Sequence, residues 1–313
     1  MATLARQFSM QYTLNGGEDC LYFIIAMNKQ TGMSVLEPKI YTEATGRIWP
    51  LFIMDGLDAM KGVYSKTAKD DQQFLDLGCG PGDITRDSLL PYCLPCRRVV
   101  AVDVSSDMVE FAKTHFAHPK ISYDVLNIVA DDVADFVERY GQFERVYSFY
   151  CFNWVKNFEK AFKNLAELMK PGAECMLWFF STSPPIRFRQ KLIKMEQWKK
   201  YAEICENCIP PTAGMNGKEE IISYISGLLN SLNLKPSICN VTHAKLRDFT
   251  SPEAITKELL AFNPLITLLT EEEESELLKE ATKEATELWA QQEAQGYPIM
   301  YEVVAVCATK PRA

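Results

Sequence analysis

The chain has 313 residues, 47% of them hydrophobic, enough to bury one large α/β core or two small ones. A net charge of -8 and a pI near 5.2 exclude a general nucleic-acid surface, because phosphate binding needs clustered Lys and Arg. The longest early apolar run, Leu21 to Met27, is too short to span a bilayer, and no secretory leader is visible, so stable membrane insertion is not expected and a cytoplasmic setting is.

Ten cysteines without such a leader fit a reducing compartment and free thiols. The two C-x-x-C pairs, Cys93/Cys96 and Cys205/Cys208, are too far apart for a compact zinc ribbon, and no metal is expected. Residues 1–40 carry scattered glycines without a clear period and are read as an N-terminal extension. A single domain is expected over 41–313, with a cap segment around 184–230.

The pattern sharpens at FLDLGCGPGDIT, residues 74 to 85. An apolar strand there turns into a helix through Gly78, Cys79, Gly80 and Gly82, bringing bare backbone close to a nucleotide-sized ligand. The spacing is G-x-G-x-G, whereas a dinucleotide fingerprint has a glycine at the sixth motif position, here Asp83. Asp76 at the strand end repels a pyrophosphate and attracts the ammonium of an amino-acid moiety, which favours S-adenosylmethionine over a nicotinamide dinucleotide. The alternative is an ordinary glycine-rich loop, and the flanking segments decide between the two.

DITRDSLL continues as a helix, and RRVVAVDVS is a β-branched run ending at Asp103 and Val104. An acid at the end of the second strand accepts hydrogen bonds from both ribose hydroxyls; its alternative role, capping the next helix, can pass to Ser105 or Ser106. SSDMVEFAKTHF is an amphipathic helix in which Met108 either covers an adenine or packs in the core. ISYDVLNIVADD supplies a third strand ending near Asn127 and Ile128. RVYSFY supplies a fourth, with Ser148 and Phe149 at its end, and continues into CFNWV and the helix NFEKAFKNLAELMKPG, which is expected to stop at Pro171-Gly172 before the strand ECMLWFF. Strands alternating with helices predict a right-handed, doubly wound parallel α/β sheet. Ligands in such sheets lie beyond the strand C-termini, where Asp76, Asp103, Asn127 and Ser148 converge.

Beyond the fifth strand, PPIRFRQKLIKMEQWKKYAE reads as a helix over the sheet edge, in which Arg187 or Arg189 either pairs with a carboxylate or belongs to a solvated basic face. SPEAITKELLAF opens with a capping Ser251 and a Pro at the first helical position, and the acids of TEEEESELL suit another helix N-terminus.

FLDLGCGPGD resembles motif I of class I S-adenosylmethionine-dependent methyltransferases. Together with VAVDVSSDMVEFA, VLNI, VYSFYCFNWV, the FNP at 262 to 264 and the terminal MYEVVAVCATK, the chain resembles the juvenile hormone acid O-methyltransferase family. The resemblance implies a seven-stranded, mostly parallel sheet with the last strand antiparallel and helical additions covering the substrate. It implies S-adenosylmethionine as cofactor, held by Asp76, Gly78, Cys79, Gly80, Gly82, Asp103, Val104, Met108, Asn127, Ile128, Ser148 and Phe149. The implied reaction esterifies a farnesoic- or juvenile hormone acid-like carboxylate, or a fatty acid, with Tyr41, Asn153 and Trp154 positioning the acceptor. Tyr150, Phe152, Trp154 and Arg187 are assigned to the substrate surface.

Four positions depart from the family pattern. Asn127 stands in place of an adenine-binding Asp, Asn153 in place of a His before the strand-four Trp, and Thr45 and Ile48 replace a polar Asn and Gln. An ionised carboxylate, with a pKa of about 4, needs no general base, so loss of the His is compatible with turnover. Methylation of another small-molecule oxygen or nitrogen, and a noncatalytic cofactor- or lipid-binding relative, remain the alternatives.

Overall fold

A computed structural model describes residues 38–45, 53, 57, 67–130, 132–246 and 249–312. The expectations for residues 1–37 and for Ile48 lie outside this range. The apolar runs pair as predicted: β1 (Gln73–Leu77), β2 (Arg98–Asp103), β3 (Ile121–Val125), β4 (Phe143–Phe149) and β5 (Met169–Thr182), followed by β6 (Lys235–Ala244) and β7 (Tyr301–Thr309). They form one seven-stranded sheet in the order β3-β2-β1-β4-β5-β7-β6. β7 lies antiparallel between β5 and β6, and the other pairings are parallel. The order reverses between β1 and β2 on one side and β1 and β4 on the other, the switch point at which an open α/β sheet leaves a crevice.

The helices are α1 (Pro38–Thr45), α2 (Leu90–Cys93), α3 (Ser106–His115), α4 (Ala134–Tyr140), α5 (Phe158–Leu168), α6 (Pro184–Leu192), α7 (Ala202–Asn207), α8 (Lys218–Ser231), α9 (Pro252–Ala261) and α10 (Glu271–Gln295). A wide-turn helical stretch, Thr85–Leu89, leads into α2. Ser105 caps α3 by accepting from the Met108 amide at 3.3 Å, which leaves Asp103 free of that duty. Ser251 caps α9 with Pro252 at its first position, and Thr270 and Glu273 form a reciprocal capping box on α10.

One boundary differs from the sequence reading. α5 ends at Leu168 and β5 begins at Met169, so the strand runs through Pro171 and Gly172 instead of starting after them. Gly172 at φ +80° donates its amide to the Lys310 carbonyl at 2.7 Å, so the terminal segment takes up the pairing there.

The core on one sheet face centres on α5, whose Phe158 and Phe162 are fully buried. Phe152 joins them: its ring centroid lies 5.6 Å from Phe158, 5.3 Å from Phe162 and 5.8 Å from Phe179. A separate cluster joins α6 to α9 and α10 through Phe188, Leu192, Leu259, Leu277 and Ala281. Phe162→Ala is expected to cost about 3–5 kcal/mol of stability, because neighbouring rings held by the sheet cannot collapse into the void; urea unfolding followed by fluorescence measures it.

Candidate active site at the glycine turn and the adjoining aromatic pocket

After the fully buried β1 the backbone turns through Gly78 (φ +82°), Gly80 (φ +54°) and Gly82 (φ +89°). A Cβ on Gly78 would lie 2.3 Å from the Cβ of Cys151, and one on Gly82 would lie 2.7 Å from the Cβ of Ala112. At Gly80 the nearest atom is on the Tyr41 ring, 3.9 Å away. The turn is held from below: the Gly78 and Cys79 amides both donate to the Val102 carbonyl, at 2.7 and 2.9 Å.

Asp103 fastens the same turn. The Gly80 amide donates to its Oδ2 at 2.9 Å and the Ser105 amide to its Oδ1 at 3.0 Å. Burial pushes the Asp103 carboxyl up, against the opposing pull of these backbone N–H groups. Each oxygen keeps a lone pair for a further donor. Asp76 is 2% exposed, accepts from the Thr85 hydroxyl at 2.6 Å, and is raised by burial to about 7.

The other assigned cofactor residues divide by environment. Val104, just past β2, is 64% exposed, and Val125, the last residue of β3, is 43% exposed. Asn127 is exposed, its Oδ1 accepting from the Val129 amide at 3.0 Å. Met108, Ile128 and Phe149 are buried, Cys79 is 7% exposed, and Ser148 spends its hydroxyl on the Leu77 carbonyl at 2.8 Å, tying β4 to β1. The Asp103 and Asp76 carboxylates beside a turn without side chains, and the exposed valines at the strand ends, fit an adenosine-bearing amino acid.

A partly open pocket is lined by Tyr41, Tyr150, Asn153, Trp154, Phe180, Ser183, Pro185, Ile186, Arg189, Glu258, Phe262 and Tyr301. Tyr41 belongs to both places: it approaches Gly80 and packs edge-to-face on Phe262 at 5.6 Å. Burial raises its phenol, and the nearby Asp103 and Asp83 raise it further. Tyr150 sits just past β4 at φ +56°, a left-handed conformation rare for a bulky residue, and its ring stacks on Phe180 at 4.7 Å.

Of the residues assigned to the acceptor, Tyr41, Tyr150, Asn153 and Trp154 meet in this pocket. Phe152 lies in the core and Arg187 is absent from the lining; Arg189 lines the pocket instead, 1% exposed. Thr45 ends α1, and His243 projects from β6 with an exposed side chain 3.5 Å from Glu302, outside the lining. Sequence reading missed Glu258, Phe180 and Tyr301. Glu258 is 3% exposed and accepts a hydrogen bond from Tyr301. Its signal was present: Glu258 lies three residues after Ile255 and four before Phe262, a charge inside an apolar helical stripe. Neither C-x-x-C pair joins a group of three metal-ligating side chains among the described residues.

A family model described as a methyltransferase domain matches residues 74–172, the segment that builds the turn and the switch point. Residues 74–172 are a methyltransferase domain. Around it, the chain is similar to juvenile hormone acid O-methyltransferases, being 32% identical to one from Drosophila melanogaster over 158 residues, 50% of this chain and 52% of that protein. A Bombyx mori protein of the same description is 26% identical over 201 residues, 64% of this chain and 69% of that one. The matched stretch thus spans about half the length of the Drosophila relative. An S-adenosylmethionine-dependent methyltransferase structure from Anabaena variabilis superposes with a TM-score of 0.50 at 13% identity, covering 90% of this chain and 99% of that one, a likeness of fold alone. The described chain has the class I methyltransferase fold, with the seven-stranded, mostly parallel sheet and antiparallel last strand that the resemblance implied. No helix among the described residues is long and apolar enough to cross a membrane.

Gly78→Ala and Gly82→Ala are each expected to destabilise the domain by roughly 1–3 kcal/mol, since both the positive φ and the backbone-close neighbours oppose a methyl group. Gly80→Ala, whose Cβ would meet only the Tyr41 ring at an ordinary 3.9 Å, is expected to cost least; guanidinium unfolding of the three variants ranks them.

Proposed function

We propose that this chain is an S-adenosylmethionine-dependent O-methyltransferase that esterifies the carboxylate of a small lipophilic acid. The observation that carries the reading is Tyr41, whose ring stands 3.9 Å from where a Cβ on Gly80 would lie and which also lines the aromatic pocket. Acceptor and cofactor sites so joined suit a transfer in which both reactants are held in line.

When bound, S-adenosylmethionine supplies an electrophilic methyl group. The chain supplies placement. Asp103 accepts from the ribose hydroxyls, Val104 and Met108 flank the adenine, and Asn127 offers its remaining carbonyl lone pair to the adenine amino group. Asp76 attracts the methionine ammonium. Trp154, Tyr150 and Phe180 surround the acceptor chain and exclude water, and Asn153 contacts the head group. No residue need take a proton, because the acid arrives ionised.

A second reading is favoured by one observation. Glu258 places a buried carboxyl group in the acceptor pocket, where it can take a proton from an alcohol or amine acceptor. Labelled methyl transfer to farnesoic acid, a fatty-acid panel and the matching alcohols and amines separates the two. Base-labile label that survives Glu258→Gln supports esterification; base-stable label lost in that variant supports the second reading. Binding of S-adenosylhomocysteine with no transfer to any acceptor supports a noncatalytic relative.

The Asp76 carboxyl gives a pH dependence of known sign. It is raised from 3.8 to about 7 by burial, and only its ionised form pairs with the cofactor ammonium. Affinity for S-adenosylhomocysteine is expected to rise as pH increases through about 7 and then level off, and Asp76→Asn should flatten the profile. Conversely, the same shift favours the folded state while Asp76 is protonated, so this contribution to the unliganded domain's stability is lost as pH rises from about 4 to about 7. Calorimetric titrations at successive pH values follow the first effect, and unfolding curves the second.

A further inference from the structure

Arg189 is 1% exposed, one of the largest fully buried side chains among the described residues. A guanidinium withdrawn from water is costly unless a counter-charge meets it. No Asp or Glu among the described residues forms an ion pair with it. Its one printed hydrogen bond donates from a terminal nitrogen to the Phe262 carbonyl at 2.8 Å, and its Nε is buried without a partner. The guanidinium carbon lies 4.6 Å from the centroid of Trp154, so one face of the cation is covered by indole, and the residue lines the pocket.

The neighbouring groups sharpen the chemistry. Asn153 also lines the pocket, 6% exposed, with its Oδ1 buried and unpartnered. Burial pulls the Arg189 pKa down to about 10, which leaves the group charged at neutral pH. Glu258 lines the same pocket and accepts from Tyr301, at no ion-pair contact with Arg189. Two residues apart on α6, Arg187 and Arg189 cannot face the same way, and the helix turns Arg189 inward.

We infer that Arg189 is the positioning residue that selects the acceptor by its carboxylate, its free Nε edge donating to one carboxylate oxygen while Trp154 holds the guanidinium plane. The inference rests on the carboxyl-acceptor reading and deepens it, by giving the pocket a cation where an otherwise aromatic wall would accept an alcohol or ester of the same chain equally well. Arg189 also has a plain structural role: Phe262 is the C-cap of α9, and a cation there steadies the helix end. The test must separate the two.

The experiment measures binding of farnesoic acid and of farnesol to the full chain saturated with S-adenosylhomocysteine, by calorimetry. Wild-type protein is expected to bind the acid at least about tenfold tighter than the alcohol, the scale of a charge-assisted hydrogen bond. Arg189→Met should erase that preference and raise the acid's KM to a similar degree, with farnesol and S-adenosylhomocysteine affinities unchanged. Arg189→Lys, which keeps the charge and loses the fork, should fall between. Equal wild-type affinity for acid and alcohol, including detectable binding of neither, would overturn the inference. So would an Arg189→Met variant that weakens both ligands equally, which is the signature of a purely structural role. If Arg189→Met fails to fold, the wild-type preference and the Arg189→Lys variant still decide. Failure of the underlying reading looks different: no base-labile methyl label on any acid, whatever the binding data.

Discussion

Two backbone amides sharing one carbonyl set the geometry on which the rest depends. Gly78 and Cys79 both donate to Val102 at the end of β2, and the next free amide, Gly80, goes to the Asp103 carboxylate. This pulls the exit of β1 against the exit of β2 so closely that Cys151, leaving β4, fills the space where a side chain on Gly78 would stand. Three strand ends are thereby locked together within van der Waals contact. Asp103 serves twice, fastening the turn through one lone pair of each oxygen and keeping another for a ligand.

The acceptor pocket depends on that junction from the other side. β4 leaves it through Cys151, immediately after Tyr150 in its left-handed conformation, and this places the Tyr150 ring against Phe180 of β5. α6 and α9 then close over the aromatic floor, held to each other by Phe188, Leu259 and the Arg189–Phe262 hydrogen bond. Tyr41 from α1 completes the wall, packed on Phe262 and facing Gly80. A change at either end of this chain of contacts reaches the other through well-packed, poorly compressible groups.

The electrostatics are as telling as the shape. The pocket is mostly aromatic, yet it contains one buried cation and one buried acid, each costly to desolvate. Such groups pay their way only through a partner, and for Arg189 the chemistry of a carboxylate fits the vacancy in its donor set. Glu258 has Tyr301, and its presence keeps alive an acceptor that must lose a proton.

The sheet was legible in the sequence because its signals are local: β-branched runs, a G-x-G-x-G turn that needs positive φ, and Asp103 at a strand end. Five strand segments alternating with helices left few topologies, since crossover handedness is fixed. The starts of α9 and α10 were legible for the same reason, through Ser251, Pro252 and the run of acids after Thr270. The boundary at Met169 was misread because Pro171 and Gly172 break a strand by propensity, whereas partners on β4 and β7 override it. What only the tertiary structure decided was which side chains share a space. Ser148 turned inward to Leu77, Phe152 into the core, and Arg189 rather than Arg187 toward the pocket. Glu258 and Tyr301 came from segments far from the turn in sequence, and Ile48 lies outside the described residues. A sequence fixes the period of an element from neighbouring residues, but the face it buries is set by packing against segments brought together only on folding, as Ser148 meets Leu77 and Arg189 meets Phe262.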